Sequence, residues 1–390
     1  MARLTTVVVS GAIANKPFKG GEAWVRLSWV LGLRKLGFDV YFVEHIARDG
    51  CVDAHGAVAA FENSVNLAYF KQVTELFGLS DTATLVYENG EQVHGLAYSE
   101  LLELAETAEL LVNISGHLAL APLTHRLRCK VYLDIDPGFT QFWHAAGNAG
   151  SHLEGHDYYF TIGENIGSPV CCIPTNGIRW RLTRQPVVLE HWPVSDGGSP
   201  DRFTTVASWR GPYGPIQHSG KTLGQKVHEF RKFIQLPESV KQEFEIALDI
   251  HPADEKDLRL LRDHGWRIVD PLALAAGPCE FREYVRNSGA EFSVAQGVYV
   301  GTESGWFSDR TVRYLASGKP VLVQDTGFSR NYPLGEGLIA FRTVEQAVAG
   351  VEQIAADYDK HCRSARALAE TYFDSKKVLS DLISEVGIAP

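Results

Sequence analysis

The sequence has few cysteines, and their spacing does not suit a metal site or a disulfide framework. Its 390 residues include six cysteines, with no C-x-x-C pair and one adjacent pair at Cys171 and Cys172. Structural zinc sites need paired ligands at short spacing, and disulfide frameworks belong mainly to small secreted chains. We therefore expect reduced thiols and no metal.

Long apolar runs are also lacking. No stretch of the sequence approaches the ~20 apolar residues of a membrane-spanning helix. The apolar run at residues 6–9, with Arg3 before it, is too short for a signal peptide. We predict a cytoplasmic protein with no transmembrane segment, which leaves open a partner that is itself bound to a membrane.

Positive charge is scarce. The chain carries 37 lysines and arginines against 47 aspartates and glutamates, which gives a net charge of -10. General nucleic-acid binders use clustered lysine and arginine to displace counterions from phosphates. We therefore expect no nucleic-acid partner, and any phosphate group that binds must meet a few local cations.

Two nucleotide-binding fingerprints are missing. The loop after the first predicted strand has Gly11 and then Gly20 and Gly21, without the G-x-G-x-x-G spacing of nicotinamide dehydrogenases. Residues 219–222 look like the end of a P-loop, but Pro215 stands where the first glycine of G-x-x-x-x-G-K-[ST] is required. Both absences argue against a dehydrogenase, an ATPase and a GTPase.

What is present is a regular alternation of strands and helices. Residues 6–9 predict a buried strand, a helix runs from Glu22 until Gly37 ends it, and residues 38–46 resume as a strand. This is the βαβ unit of an open parallel sheet, whose ligands gather at the carboxyl ends of the strands. Further strands are predicted at 110–115, 130–135, 158–162, 203–207, 244–250, 266–269, 291–294 and 321–323, and further helices at 98–109, 223–234, 258–264, 280–286, 310–316 and 366–386.

The composition changes between residues 186 and 202. Pro193, Gly197, Gly198 and Pro200 lie close together there, and the periodicity is lost. Such a segment is typical of a linker, and a chain of this length with 45% apolar residues can bury two cores. We predict two α/β domains, at residues 1-190 and 201-365.

The segment 301–311 combines glycine, hydroxyl and cationic side chains just before a predicted helix. Backbone N–H groups there, with Ser308, Arg310 and Thr311, are suited to hold phosphate oxygens. The alternative is that Ser308 or Asp309 simply caps the helix. We count all three side chains as candidate phosphate ligands.

Two further cations follow the first strand of the C-terminal half. Arg210 stands between Trp209 and Gly211, and Lys221 comes shortly before the next predicted helix. Both side chains are candidates to stabilise the negative charge that develops on a diphosphate. Each is alternatively a solvated surface residue.

Residues 291–327 resemble the C-terminal domain of GT-B-type glycosyltransferases, particularly the CgeB-like and group 1 families. The sequence YLASGKPV at residues 314–321 is similar to their helix followed by Gly-x-Pro-Val. The two-domain α/β layout extends the resemblance over most of the chain. It implies a GT-B-like fold, in which two Rossmann-like domains face each other across a cleft.

The resemblance also implies which domain binds each substrate. A nucleotide-sugar donor would be held mainly by the domain at 201-365, with its diphosphate on Arg210 and Lys221. An acceptor would be held mainly by the domain at 1-190, which a C-terminal helix at 366-390 would complete. No metal and no cofactor besides the donor substrate would be required.

The chain departs from the better-known group 1 enzymes at one position pair. Those enzymes often have two glutamates spaced eight apart, where this sequence has Gly305 and Arg313. Donor contacts therefore do not carry over directly from the family. We name Glu303 and Ser304 as substitute donor-binding candidates.

Three residues of the N-terminal half are candidates to contact the donor. Gly20 and Gly21 precede a helix and would let the backbone approach phosphate or sugar, although an ordinary turn is the alternative. His117 follows a predicted strand, where group 1 transferases often have a histidine that faces the transferred sugar. It is our first catalytic candidate, and the alternative is a structural histidine.

A pair of acids ends another predicted strand. Asp134 and Asp136 lie two residues apart, and Asp136, beside the Pro-Gly turn, is the one expected to reach the cleft. It is our candidate to accept a proton from an acceptor hydroxyl. Phe139, Phe142 and Trp143 follow it and would either stack on a sugar ring or pack in the core.

These features together predict a metal-independent glycosyltransferase that moves a hexosyl or related sugar from a nucleoside-diphosphate donor to an acceptor in the interdomain cleft. Two alternatives stay open: a non-catalytic nucleotide- or sugar-binding protein of the same fold, and a sugar-nucleotide epimerase. The donor base, the sugar, the stereochemistry and the acceptor, whether small molecule, glycan or lipid-linked, are not identified by the sequence.

Overall fold

The computed structural model describes residues 4–211, 213–218 and 220–389. Its first sheet has eight strands among these residues, in the spatial order β4-β3-β2-β1-β5-β6-β7-β8. The strands are β1 (Thr6–Ser10), β2 (Asp39–Ile46), β3 (Ala83–Tyr87), β4 (Gln92–His94), β5 (Leu110–Ile114), β6 (Lys130–Asp134), β7 (Tyr158–Thr161) and β8 (Trp180–Leu182). Neighbouring strands run parallel except that β4 pairs with β3 in the antiparallel sense.

Five α-helices lie among the described residues of this part of the chain. They are α1 (Gly20–Lys35), α2 (Val65–Leu76), α3 (Tyr98–Thr107), α4 (Ala121–Thr124) and α5 (Phe139–Ala145). Every residue of β1, β3 and β5 is buried, as expected for parallel strands covered on both faces. The order of the strands reverses at β1, which pairs with both β2 and β5, and ligands of open α/β sheets bind at such a point.

The second sheet repeats this plan with six parallel strands in the order β13-β12-β9-β14-β15-β16. The strands of this half, including a small antiparallel hairpin formed by β10 and β11, are β9 (Arg202–Ser208), β10 (Ile216–His218), β11 (Lys221–Leu223), β12 (Glu243–Asp249), β13 (Trp266–Val269), β14 (Ala290–Ser293), β15 (Val321–Gln324) and β16 (Leu338–Phe341). The reversal of order falls at β9, which pairs with β12 and β14. The chain thus contains two sheets of the Rossmann type.

Nine helices accompany the second sheet within the described ranges. They are α6 (Lys226–Phe230), α7 (Glu255–Asp263), α8 (Pro271–Leu274), α9 (Pro278–Arg286), α10 (Gly297–Thr302), α11 (Asp309–Ala316), α12 (Val344–Ala356), α13 (Tyr358–Tyr372) and α14 (Ser375–Val386). The last helix returns to the first half of the chain, where Gly32 of α1 leaves room for Leu379 and Ser375. The domain boundaries at residues 190 and 201 stay a prediction.

Two predicted helices were wrong in their extent. The helix expected at 223–234 is instead the end of β11, the short helix α6 and a 3-10 turn over Arg231–Phe233. The helix expected at 366–386 is two helices, because the chain leaves helical geometry at Asp374, whose side chain then accepts a hydrogen bond from the backbone N–H of Lys376 and caps α14.

The N-terminus of α1 is bonded directly to the second half of the chain. The backbone N–H of Gly20 donates to the carbonyl of Ala275 over 3.0 Å, and the indole N–H of Trp24 donates to the carbonyl of Pro278 over 2.7 Å. A Cβ atom on Gly20 would lie 2.1 Å from the carbonyl oxygen of Gly277. This position therefore requires glycine for close packing of two backbones.

Replacing Gly20 with alanine should lower the free energy of unfolding by about 1 to 3 kcal/mol, because the clash is with main chain, which cannot move aside. Urea denaturation measures the change. Gly214→Ala is the matched control, since a Cβ there meets nothing within 4 Å, and we expect it to alter stability by no more than about 0.5 kcal/mol. Equal stability of the two variants would contradict the packing role of Gly20.

Candidate active site

A cavity of about 480 Å³ lies between the two sheets. On one side it is lined by the loop after β1 and by Asp136, which follows β6. On the other side it is lined by Ser208 and Asp249, at the ends of β9 and β12, and by the start of α11. Carboxyl ends of strands from both sheets thus face one space, which is where α/β folds bind ligands.

Two cations of the second half line this cavity. Arg310 is held in place by three hydrogen bonds, from Nε to Glu291 (2.7 Å), from Nη1 to the carbonyl of Val206 (2.8 Å) and from Nη2 to the hydroxyl of Ser293 (2.7 Å). Lys226, at the start of α6, is half-buried, and its amino group has no hydrogen bond or ion pair with any described residue. A half-buried cation without a partner among the described residues is suited to an anionic ligand.

Burial lowers the pKa of Lys226 to about 7, and the positive charge of Arg310 adds to the effect. A bound diphosphate would raise the pKa of this amino group again, because opposite charges favour the ionised form. The lysine therefore contributes fully to anion binding below pH 7. Its contribution falls as the pH rises above 7, where a proton must be taken up for the ligand to bind.

We expect the dissociation constant of a nucleoside diphosphate to rise by up to about tenfold per pH unit between pH 7.5 and pH 9. Diphosphate is fully ionised over this interval, so the change reports on the protein. Lys226→Arg should remove most of the pH dependence, because a guanidinium stays charged. Titration calorimetry of both proteins measures it, and a constant affinity of the unaltered protein would refute the role of this lysine.

The opposite wall carries a network of charges from the loop after β1 and from α1. Lys16 forms an ion pair with Glu22 (3.0 Å), and the buried guanidinium of Arg26 bonds to the same carboxylate. Burial alone would raise the pKa of Glu22, but Lys16 and Arg26 together lower it well below its usual range. Lys16 and Glu22 line the cavity, so this wall offers fixed hydrogen-bond donors and acceptors side by side.

His117 lies behind this wall, in a turn that β5 positions. The side chain of Asn113 exchanges two hydrogen bonds of 3.0 Å with the backbone of Leu118. Ser115, within the same turn, adopts a left-handed φ of 55°. Burial lowers the pKa of His117 to about 3, and the positive charges of Arg26 and Lys16 add to the effect. The ring is therefore neutral near pH 7 and a weak base, and its catalytic role stays a prediction.

The two acids after β6 have different surroundings. Asp134 is fully buried and accepts hydrogen bonds from Gln141 (2.7 Å), Thr161 (2.7 Å) and Thr140 (3.2 Å), so it supports the loop. Asp136 lines the cavity, as the sequence predicts. Burial raises the pKa of Asp136 above its usual range, although Lys16 opposes the effect. Its catalytic role stays a prediction, but its position suits a proton acceptor.

Three donor-binding candidates do not line the cavity. Arg210 is half exposed and forms a bidentate ion pair with Asp254, away from the residues that line the cavity. Lys221 is exposed on the hairpin of β10 and β11. Glu303 ends α10 and pairs with two arginines of the same half of the chain. Their roles in donor binding stay predictions, because in this conformation each side chain lies or bonds outside the cavity.

Two further candidates are buried too deeply to contact a ligand. Ser304 and Thr311 have no exposed surface, and the hydroxyl of Ser304 accepts the backbone N–H of Trp306 (3.2 Å) in a local turn.

Ser308 does line the cavity, but its hydroxyl accepts the backbone N–H of Arg310 (3.2 Å) and caps α11. The alternative of a helix cap is thus the one the structure bears out for Ser308.

The two glycines at the start of α1 border the cavity, and both are packed closely against the second half of the chain. The N–H of Gly20 is bonded to Ala275, and a Cβ on Gly21 would lie 3.1 Å from the ring of Phe281. They allow the two halves of the chain to approach each other. The backbone N–H of Gly20 is consequently bonded within the protein, and donor binding by Gly20 and Gly21 stays a prediction.

The aromatic residues of α5 form a packed cluster. Phe139 contacts Tyr213 with ring centroids 5.0 Å apart, Trp143 contacts the same ring at 4.7 Å, and Phe142 contacts His218 at 4.7 Å. Phe139 alone of the three α5 aromatics lines the cavity among the described residues. Hydrophobic packing, rather than sugar stacking, accounts for Phe142 and Trp143.

Sequence reasoning missed Lys226 and the charge network around Glu22. One signal was available for the lysine, since a basic residue in the first turn of a helix is electrostatically unfavourable and calls for another explanation. The network has no local signature, because Lys16, Glu22 and Arg26 meet only once the loop folds back onto α1.

Two searches of the described residues gave negative results. No group of three or more histidine, cysteine, aspartate or glutamate side chains within residues 4–211, 213–218 and 220–389 could hold a metal ion. In the same part of the chain, every helix is too short or too polar to cross a membrane.

Comparison with known proteins identifies the fold. No family model and no curated protein matches the sequence. Among solved structures, the chain is similar over 99% of its length to 100% of an alpha-glucosyltransferase bound to UDP and a 13-mer DNA, at 12% identity and a TM-score of 0.60. It is similar over 98% of its length to 100% of Anabaena HepE in complex with UDP-glucose, at 11% identity and a TM-score of 0.59.

A third similar structure is the pneumococcal O-GlcNAc transferase GtfA in complex with UDP and GlcNAc, at 10% identity and a TM-score of 0.54, covering 98% of this chain and 99% of that one. At these identities the likeness shows the fold alone. The predicted GT-B-like fold and the resemblance to GT-B glycosyltransferases are thereby confirmed at the level of architecture.

Proposed function

We propose that this protein transfers a sugar from a nucleoside-diphosphate-sugar donor to an acceptor hydroxyl in the cavity between its two sheets. One observation carries the proposal: the amino group of Lys226, which has no partner among the described residues, lies with Arg310 in a cavity lined by strand ends of both halves. Two adjacent cations suit a diphosphate. The structural neighbours solved with UDP and a sugar support this type of donor.

Transfer that inverts the anomeric carbon needs charge neutralisation and a proton acceptor. The acceptor oxygen forms a bond to the anomeric carbon while the bond from that carbon to the diphosphate breaks. Lys226 and Arg310 stabilise the negative charge that collects on the departing diphosphate. Asp136 takes the proton from the acceptor hydroxyl. A role for His117, which lies behind the wall of Lys16 and Glu22, rests on the family resemblance alone. Positioning in the cavity supplies much of the remaining rate.

The acceptor would lie against the wall formed by Lys16, Glu22 and Asp136. Alternating fixed donors and acceptors of hydrogen bonds suit a molecule with several hydroxyl groups. Metal independence is part of the proposal, because the two cations can neutralise the leaving group. Transfer that persists in excess EDTA would support it, and loss of transfer that Mg²⁺ or Mn²⁺ restores would overturn it.

The remaining expectations concern partners and location. We propose that nucleic acid is not the acceptor, because the net charge is -10, although one structural neighbour was solved with DNA. A gel-shift assay with duplex DNA at low salt tests this, and binding would contradict it. The cytoplasmic location stays a prediction.

The first experiment is a thermal-shift screen against UDP, GDP, dTDP, ADP and CMP, with NAD and ATP beside them. A ligand that binds the native state raises the melting temperature by mass action. Stabilisation by one nucleoside diphosphate supports the proposal and names the donor base. Stabilisation by NAD or ATP alone would overturn it in favour of a dehydrogenase or a nucleotide hydrolase.

Turnover then separates the transferase from the other two functions. The matching nucleotide sugar is incubated with and without a panel of sugar, glycan and lipid-linked acceptors. Release of nucleoside diphosphate that depends on an acceptor supports transfer. Conversion of the donor sugar without an acceptor would indicate an epimerase, and binding without any turnover would indicate a non-catalytic binding protein.

A further inference from the structure

A hydrogen bond crosses the cavity from one half of the chain to the other. The phenol of Tyr299 in α10 donates to Oδ1 of Asp136 over 3.0 Å. Asp136 follows β6 of the first sheet, whereas α10 follows β14 of the second. Both residues line the cavity, and Tyr299 is only 3% exposed. The proton-acceptor candidate is therefore bonded to the half of the chain that carries the two cations.

The ring of Tyr299 is fixed on both sides. It stacks on Trp306, with centroids 4.4 Å apart and planes 21° from parallel. Phe139 packs edge-on against it, with centroids 6.0 Å apart and an interplanar angle of 90°. Aromatic contacts of this kind leave the ring little freedom. Its hydroxyl consequently points at one place, the carboxylate of Asp136.

We propose that Tyr299 is a positioning residue that holds one oxygen of Asp136 so that the other faces the acceptor hydroxyl. This inference rests on the proposed glycosyl transfer. As the acceptor oxygen bonds to the anomeric carbon, its proton passes to the free oxygen of Asp136, and the diphosphate leaves with the electron pair of the broken bond. Tyr299 keeps its own proton and touches only Asp136.

The hydrogen bond also links the position of Asp136 to the half of the chain that carries Lys226 and Arg310. Because the two partners belong to different sheets, it exists only when the sheets stand at their present spacing. The carboxylate is thus oriented when the wall that carries Lys226 and Arg310 is in place. Such fixed geometry holds the acceptor hydroxyl and the anomeric carbon of the donor in position to react.

The charged and titratable groups around Asp136 come from several elements. Lys16, Glu22 and Arg26 face it from the loop after β1 and from α1, Asp134 lies on its own strand, and Tyr213 faces it from the segment after β9. Burial raises the pKa of Asp136, whereas Lys16, Arg26 and the hydroxyl of Tyr299 favour its ionised form. Removing that hydroxyl therefore raises the pKa further.

The test is the pH profile of kcat/KM for transfer in Tyr299→Phe. The substitution keeps the ring and its contacts but deletes the hydroxyl. We expect the acid limb of the profile to move to higher pH by on the order of one unit, and kcat below that limb to fall roughly tenfold. Stabilisation by the nucleoside diphosphate should be unchanged. Tyr358→Phe deletes a phenol that donates to the carbonyl of Gly289, outside the cavity, and should leave the acid limb where it is.

A double-mutant cycle with Asp136→Asn tests whether Tyr299 acts through this carboxylate. If it does, adding Tyr299→Phe to Asp136→Asn lowers kcat no further. Equal effects of Tyr299→Phe in both backgrounds, or an unmoved acid limb, would overturn the inference while leaving glycosyl transfer intact. Failure of the proposed function looks different, since the unaltered protein would then show no acceptor-dependent turnover at all.

Discussion

Lys226→Ala is expected to weaken the binding of a nucleoside diphosphate by roughly 1.5 to 3 kcal/mol, which is more than tenfold in the dissociation constant. The amino group of Lys226 lines the cavity and has no partner among the described residues, so the ligand is the anion that it can bind. Arg310 is fixed in its present place by hydrogen bonds to Glu291, Val206 and Ser293, so it cannot move to replace the lost amino group. Titration calorimetry with the diphosphate found by the thermal screen measures the loss.

A lysine six residues further along the chain provides the matched control for this substitution. Lys232 is exposed and forms an ion pair with Glu229 (2.7 Å) outside the cavity. Lys232→Ala removes the same charge from the same region and should leave diphosphate affinity unchanged. Equal affinities of Lys226→Ala and the unaltered protein would show that the phosphate site lies elsewhere.

Asp136→Asn is expected to lower kcat for transfer by roughly 10²- to 10⁴-fold, the usual contribution of a positioned base. The amide cannot take the proton of the acceptor hydroxyl. It keeps an oxygen that can accept the hydrogen bond from Tyr299, so the fold and donor affinity should change little. Single-turnover rates with saturating donor, together with the melting temperature, separate lost chemistry from lost structure.

The control for this variant is an aspartate that touches neither the cavity nor another charge. Asp381 is exposed on α14, and Asp381→Asn should retain full activity. Normal turnover of Asp136→Asn would show that this carboxylate has no catalytic role. The next candidate would then be His117, whose low pKa makes it the weaker base.

The fold was largely predictable because buried parallel strands have a strong signature. The apolar runs at β1, β5 and β15 are short, β-branched and followed by loops, and each is a strand in the structure. The position of Asp136 at the cavity followed from the same rule, since residues just after parallel strands gather at one edge.

The site was less predictable because its contacts link residues far apart in the sequence. Arg210 has the right composition around it, but Asp254, 44 residues later, occupies its guanidinium. Thr311 belongs to a promising phosphate segment, yet its side chain faces the core. Lys226 fell within a helix that was predicted to begin at residue 223. In the structure residue 223 ends β11, and the helix begins at Lys226. Composition and spacing do not encode these orientations.

The backbone bond between Gly20 and Ala275 constrains how substrates come and go. Together with the bond from Trp24 to Pro278, it joins the two halves of the molecule along one edge of the cavity. Asn165 bonds the same two halves elsewhere, through the carbonyls of Glu303 and Gly327. Widening the cavity to release a product must therefore break or lengthen some of these bonds. Product departure, rather than bond making, would limit the rate of turnover whenever this opening is slow.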